Sequence, residues 1–166
     1  MKTQNPKLAV KILQMAKSDQ SARKEYTKVS SVLTKMLEID RANLVEMKKI
    51  VKEFGWPTLS LVGKRASHMA WLLVQHADSN IKFQEYCLDL MNKSLKNNEV
   101  SKKDIAYLTD RVLVNRGKAQ IYGTQFYKNK KGELIPRPIR DSESLNKKRK
   151  ETGLESFKNY RKRLLD

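Results

Sequence analysis

The chain has 166 residues, of which 39% are hydrophobic and 32% charged, and its formal net charge is +17. This length is typical of one domain built on one core, and the helical spacing of the apolar residues argues against wholesale disorder. Cys87 is the only cysteine, which excludes an intrachain disulfide and a thiolate metal site. We therefore predict that Cys87 is a small buried hydrophobe.

The positive charge is densest near the C-terminus, where residues 128–166 contain 13 Lys or Arg against 6 Asp or Glu. Such a charge attracts an acidic protein or a nucleic acid through long-range forces that weaken with salt. The alternative is an ordinary solvated surface rich in lysine. Lysines interrupt the N-terminal apolar residues, and no run of eighteen apolar residues occurs, so we predict no membrane span and a cytoplasmic location.

Apolar residues at helical spacing predict three helices in the first third of the chain. They cover residues 6–17, 22–37 and 40–54, with a turn at 18–21 and Asp40 as the N-cap of the third helix. Gly55 ends the third helix, and Pro57 prevents its continuation.

A fourth helix is predicted from about residue 58 to residue 77, with a face of small residues that favours close packing on another helix. His76 lies on its apolar stripe, near the helix C-terminus. A histidine at such a position is more often a core residue than a catalyst. His68 is too far along the axis to share a metal ion with His76, and no metal-ligand spacing is present, so we predict no metal site and no cofactor.

Two further helices are predicted at about residues 80–97 and from Ser101 onward. Asp110 and Arg111 interrupt the apolar pattern of the second of them. An aspartate there could orient His76, and an arginine could hold a planar anion through two hydrogen bonds. The alternative is a structural ion pair between helices.

After Gly117 the pattern alternates with period two, which predicts a β-hairpin at about residues 119–136. Gln120, Tyr122, Thr124 and Gln125 carry amides and hydroxyls that suit a polar ligand. Ordinary strand pairing with solvated polar residues is the alternative. Two short helices follow, and their basic runs at 145–150 and 160–165 bind phosphates, serve as a localisation signal or form a solvated helix face.

The blocks GWP (55–57), QHAD (75–78), YLTDR (107–111) and QIYGTQ (120–125) resemble those of a bacterial family of unknown function, and the similarity covers roughly residues 40–160. The resemblance implies no activity. It implies that the following residues match motif positions of the family: His76, Asp110, Arg111, Gln120, Tyr122, Gly123, Thr124 and Gln125.

We therefore predict a mainly α, single-domain bundle of about six to eight helices with one β-hairpin, in which residues 1–39 form an N-terminal helical extension and residues 40–160 a family core. One hypothesis is an enzyme that acts on a small polar or phosphorylated substrate. Its catalytic residues would be His76, Asp110 and Arg111, and its substrate-binding residues Gln75, Gln120, Tyr122, Thr124 and Gln125. The other hypothesis is a non-catalytic helical module that docks an acidic partner or nucleic acid.

Overall fold

The computed structural model describes residues 3–28 and 33–165. Its elements are α1 (Pro6–Lys28), α2 (Leu33–Phe54), α3 (Leu59–Gln75), α4 (Ile81–Leu95), α5 (Lys102–Asn115), β1 (Phe126–Lys128), β2 (Leu134–Pro136), α6 (Leu145–Glu151) and α7 (Phe157–Leu165). The prediction of a mainly α fold with one β-hairpin is confirmed. Contacts divide the chain into two compact units, residues 1–101 (unit 1) and 102–166 (unit 2). Within the described residues, no helix combines the length and apolar composition needed to cross a bilayer.

Helix α1 continues through the turn that was predicted at residues 18–21, so that prediction is wrong. The polar residues there are accommodated in the helix, because Ser18 donates to the carbonyl of Gln14 and Asp19 contacts His76 at the end of α3 and Arg23 of α1 itself. The helix predicted at 22–37 is divided between α1 and α2, and its residues 29–32 lie outside the described part of the chain. Asp40, predicted as an N-cap, lies inside α2.

Unit 1 is built around α3, which packs on α1, α2 and α4. The face of small residues predicted on α3 is buried, with Ala66 and Ala70 exposed by 2% and 0% respectively. Cys87 of α4 is fully buried, as predicted, and burial raises the pKa of its thiol to about 12. A neutral thiol of this kind acts as a small hydrophobe.

A side-chain N-cap marks the start of α3, and another marks the start of α4. The side chain of Thr58 accepts from the backbone N–H of Leu61, and the side chain of Asn80 accepts from that of Phe83 at the start of α4. Threonine and asparagine are both residue types that favour this position. Each satisfies a donor that the first helical turn leaves without a helical partner.

Gly63 interrupts α3 after its first turn, with φ 82° and ψ 161°, a region of backbone space that is open almost only to glycine. The carbonyls of Ser60 and Leu61, just before the kink, accept hydrogen bonds from the backbone N–H groups of Gln4 and Asn5. The kink therefore attaches the segment before α1 to the start of α3.

Unit 2 contains α5, the hairpin, α6 and α7. The hairpin pairs Phe126 with Pro136 and Lys128 with Leu134 in antiparallel register. It is shorter than predicted, because residues 121–125 form an irregular loop and only a single bridge joins Gln120 to Ile139. The prediction that residues 120–125 form a strand is therefore wrong. The core of unit 2 includes the following buried residues: Ala106, Leu108, Val112, Leu145 and Tyr160.

Replacing Gly63 by alanine should lower the free energy of unfolding by about 1–3 kcal/mol, because the substitution forces a side chain into this backbone region. The added Cβ would also lie 2.9 Å from Cγ2 of Thr3. Gly132→Ala is the matched control, since Gly132 has φ +80° and no atom within 4 Å of its added Cβ. Urea unfolding measures both variants, and an equal or smaller loss for Gly63→Ala would contradict the role assigned to the kink.

Candidate functional site

His76 is the C-cap of α3, and its half-buried imidazole contacts a carboxylate that the sequence analysis did not identify. Nδ1 of His76 lies 3.0 Å from Oδ1 and 3.1 Å from Oδ2 of Asp19, which comes from the middle of α1. A carboxylate at Nδ1 fixes the ring orientation and stabilises the protonated imidazole. The acid that orients His76 is thus Asp19.

The carboxylate of Asp19 is held ionised in a nearly water-free position, with its side chain 1% exposed. Burial by itself would raise its pKa, but the hydrogen bond and charge of His76, together with the charge of Arg23, outweigh burial and lower the pKa. Asp19 therefore carries a negative charge at neutral pH and offers a fixed acceptor to the imidazole.

Arg23, one helical turn after Asp19, completes the surroundings of Nδ1. Its Nε lies 3.0 Å from Nδ1 of His76 and 3.3 Å from Oδ2 of Asp19. When Nδ1 carries a proton, it donates to Asp19; when Nδ1 is bare, it accepts from Nε–H of Arg23. Nδ1 consequently has a partner in place in both of its protonation states.

Asp40 of α2 is the fourth member of the cluster, with Oδ1 2.7 Å from Nη2 of Arg23. Burial raises the pKa of Asp40, against the opposing effect of Arg23 and with a further contribution from the charge of Asp19. The surroundings therefore move the pKa values of the two carboxylates in opposite directions. Such a separation is common where one group stays ionised while another exchanges protons.

Asp19, Asp40 and His76 each place one potential metal-ligand atom within 4.8 Å of the others. Two carboxylates and an imidazole form a suitable ligand set for a divalent cation. Nη2 of Arg23 bonds to both carboxylates and supplies a positive charge at this place. A metal ion would have to take over those carboxylate oxygens from the guanidinium. Sequence spacing could not indicate this set, because its members come from three helices.

Asp110, the residue predicted to orient His76, belongs to unit 2, where it holds the loop at residues 120–125. Its Oδ1 accepts from the backbone N–H groups of Ile121 and Tyr122, at 2.7 and 3.0 Å. Its Oδ2 accepts from the backbone N–H and the hydroxyl of Thr124, both at 2.9 Å. Asp110 is fully buried, and burial raises its pKa despite these hydrogen bonds.

The amide of Gln120 is also used within unit 2. Its Oε1 accepts from the backbone N–H of Gln125, and its Nε2 donates to the carbonyls of Gln125 and Arg137. Gln125 in turn donates to the Thr124 hydroxyl and accepts from Nη1 of Arg111, at 3.1 Å. Five predicted site residues therefore belong to one hydrogen-bonded network around the loop: Asp110, Arg111, Gln120, Thr124 and Gln125.

Arg149 contacts this loop from another side, although in the sequence it stands only in a basic run. It is fully buried; Nη1 donates to the carbonyl of Tyr122, and Nε lies 2.7 Å from the carbonyl of Glu155. Its guanidinium carbon lies 4.9 Å from the centre of the Tyr160 ring. The backbone of Tyr122 thus donates to Asp110 through its N–H and accepts from Arg149 through its carbonyl.

Gln75 and Gln84 lie at the end of α3 and on α4. Gln84 is fully buried and donates to the carbonyl of Val74 and to the carboxylate of Asp78, which fastens α3 to α4. Gln75, predicted to bind substrate, is buried, and its Oε1 has no hydrogen-bond partner among the described residues. Its predicted role stays a prediction.

A family model of unknown function matches residues 6–166. The chain belongs to DUF6624. The match begins at the start of α1, so the DUF6624 region includes residues 6–39, which the sequence analysis had set apart as an extension, and with them Asp19 and Arg23. Neither a curated protein nor a solved structure matches the chain.

Replacing Asp110 by alanine should lower the free energy of unfolding of this DUF6624 protein by about 3 kcal/mol or more, because several buried donors lose their acceptor. Glu143→Ala is the matched control in unit 2, since Glu143 is exposed. Urea unfolding and amide exchange at residues 121–124 measure the effect. An unchanged stability of the Asp110 variant would show that the loop does not depend on this carboxylate.

Asp19 and Asp40 should contribute to the free energy of unfolding with opposite pH dependences. The pKa of Asp19 is lowered on folding, so its stabilisation is complete above the unfolded value of about 3.9 and is lost as the pH falls through the folded pKa. The advantage of the wild type over Asp19→Asn should therefore shrink below about pH 4.

Asp40→Asn is the matched control for this pH dependence. The pKa of Asp40 is raised on folding, so its contribution is complete below the unfolded pKa and is lost as the pH rises through the folded pKa. The wild type should gain stability relative to Asp40→Asn as the pH falls. Urea unfolding over a pH series measures both slopes, and slopes of the same sign would contradict the assignment.

Proposed function

We propose that the Asp19–His76 pair is the acid–base centre of an enzyme that acts on a small polar substrate. The observation that carries this proposal is the position of Nδ1 between an ionised carboxylate and an arginine N–H. Because Asp19 accepts from Nδ1–H whether Nε2 is bare or protonated, the ring can take up and release a proton at Nε2 without rearrangement of the cluster.

Nε2 is the ring nitrogen that would exchange a proton with the substrate. It makes no hydrogen bond to a described residue, and the side chain of His76 is 18% exposed. With the proton on Nδ1 held by Asp19, Nε2 presents a lone pair and acts as a general base. The imidazolium that forms is then stabilised by Asp19 and can return the proton as a general acid.

The charge of the cluster favours a neutral or cationic substrate over a phosphorylated one. Arg23 is already bonded to two carboxylates, Asp19 and Asp40. With neutral His76, the four side chains therefore carry more negative than positive charge. A phosphate brought beside Nε2 would therefore meet an excess of negative charge on these four side chains.

The roles that we propose for the residues of unit 2 differ from the roles predicted from the sequence. Asp110, Gln120, Thr124 and Gln125 use their polar atoms to hold the loop, so we assign them to positioning that loop. The predicted anion-binding role of Arg111 and the substrate-binding role of Tyr122 stay predictions.

The test begins with a thermal-shift screen of nucleosides, sugars, amino acids and their phosphates, and of short nucleic acids, at low salt and at about 0.3 M salt, where long-range attraction is screened. Each compound that stabilises the protein in both salts is incubated with it, and its consumption is followed by NMR. We expect at least one neutral or cationic compound to be consumed.

The variants His76→Gln and Asp19→Asn assign the chemistry, and His68→Gln is the matched control because His68 is exposed and stacks on Trp71. Loss of the acid–base group should slow turnover about 10²–10⁴-fold, and loss of Asp19 should also slow it, whereas the His68 variant should keep its rate. Circular dichroism verifies that each variant is folded. Turnover by His76→Gln at the wild-type rate, or stabilisation by polyanions alone at low salt, would refute the proposal.

A further inference from the structure

A groove of about 690 Å³ runs along one face of α7 in unit 2, and its floor is apolar. Ile139, Leu145, Phe157 and Leu165 line it. Leu165 is 58% exposed and adds its apolar surface to this face. Apolar area of this kind is available to a partner that brings apolar side chains of its own.

Three of the α7 residues that line the groove share one helical face. Phe157, Arg161 and Leu165 are spaced four residues apart and so lie one above another. Eight residues of helix span about 12 Å. This length accommodates about two turns of a second helix, whose apolar residues at positions i, i+4 and i+7 project to one side.

The rim of the groove is basic. Lys158, Arg161 and Lys162 border it, whereas no Asp or Glu among the described residues does. These three cations form no ion pair with a described residue, in contrast to Arg163 on another face of α7, which bonds to Glu155 at 2.7 Å. The positive charges beside the apolar floor are therefore available to a partner.

We propose that this groove docks an acidic amphipathic helical segment of a partner protein. The apolar residues of the segment would lie on the floor, and its Asp or Glu residues would lie against Lys158, Arg161 and Lys162. In helix-in-groove recognition, apolar anchors supply affinity, and charge complementarity supplies orientation and association rate. The proposal is independent of the acid–base centre in unit 1.

Two other occupants fit the groove less well. A second copy of this chain would bring another net charge of +17, and like charges disfavour such a contact. A nucleic acid would be attracted by the rim but would leave the aliphatic floor unused. The floor offers one aromatic ring, Phe157, which already stacks on Phe126 with ring centres 6.1 Å apart.

The test uses the full chain and a fluorescent model peptide of about four helical turns, with leucines on one face and glutamates on the other. A peptide of the same composition with the leucines distributed around the helix is the first control, and an oligothymidylate is the second. Fluorescence anisotropy measures affinity at low salt and at about 0.3 M salt. We expect the amphipathic peptide to bind in both salts and more tightly than either control.

Matched variants assign the binding surface. Arg161→Gln with Lys162→Gln should weaken peptide binding about fivefold to tenfold, and Leu165→Ser about tenfold. Lys130→Gln with Lys131→Gln removes the same charge from the hairpin turn of unit 2 and should leave the affinity unchanged. Backbone NMR shifts on binding should include residues 145, 157 and 165.

Three results would overturn the proposal. The peptide with distributed leucines could bind as tightly as the amphipathic one, which would show that bulk charge is sufficient. The hairpin variant could weaken binding as much as the α7 variant does. The oligothymidylate could bind more tightly than the amphipathic peptide and shift the same residues, which would assign the groove to nucleic acid.

Discussion

The burial of the Asp19 carboxylate is the constraint on which the arrangement of unit 1 depends. An ionised carboxylate removed from water is costly unless other groups return the hydrogen bonds and charge that water supplied. Arg23 from the same helix and His76 from the end of α3 do so, and Arg23 also bonds to Asp40 of α2. One buried charge therefore connects three helices and places a titratable imidazole beside a fixed acceptor. The need to stabilise this buried carboxylate therefore accounts both for the contacts among the three helices and for the candidate acid–base pair.

The same requirement operates in unit 2 with a different outcome. The buried Asp110 receives its hydrogen bonds from the backbone of residues 121–124, and the buried Arg149 donates to a carbonyl of that loop. Here the partners of Asp110 are backbone N–H groups and the hydroxyl of Thr124, so the buried charges shape the backbone. The YLTDR block therefore contains the residue that organises the loop, Asp110, and the QIYGTQ block forms the loop itself.

The high positive charge has different consequences in different places. In unit 1, Arg23 is offset by two carboxylates, so the cluster around His76 does not attract anions. In unit 2, Arg149 is buried under Tyr160, while three cations of α7 stand beside an apolar groove. Net charge alone therefore says little about binding. What matters is which cations lack an acidic neighbour and what surface lies next to them.

The sequence by itself determined the features that depend on neighbouring residues. Helical periodicity, the caps Thr58 and Asn80, the end of α2 at Gly55 and the burial of Cys87 all follow from local pattern or composition. It also singled out His76 and Asp110 as unusual. Their partners were decided by tertiary structure alone: Asp19 lies 57 residues from His76, within a predicted turn, and residues 120–125 alternate like a strand but wrap around Asp110. A signal existed for Asp19, since it continues the apolar stripe of α1 through Ile12 and Ala16 and sits one turn before Arg23. The partner of a buried charge is nevertheless set by which helices pack together, and local sequence does not contain that information.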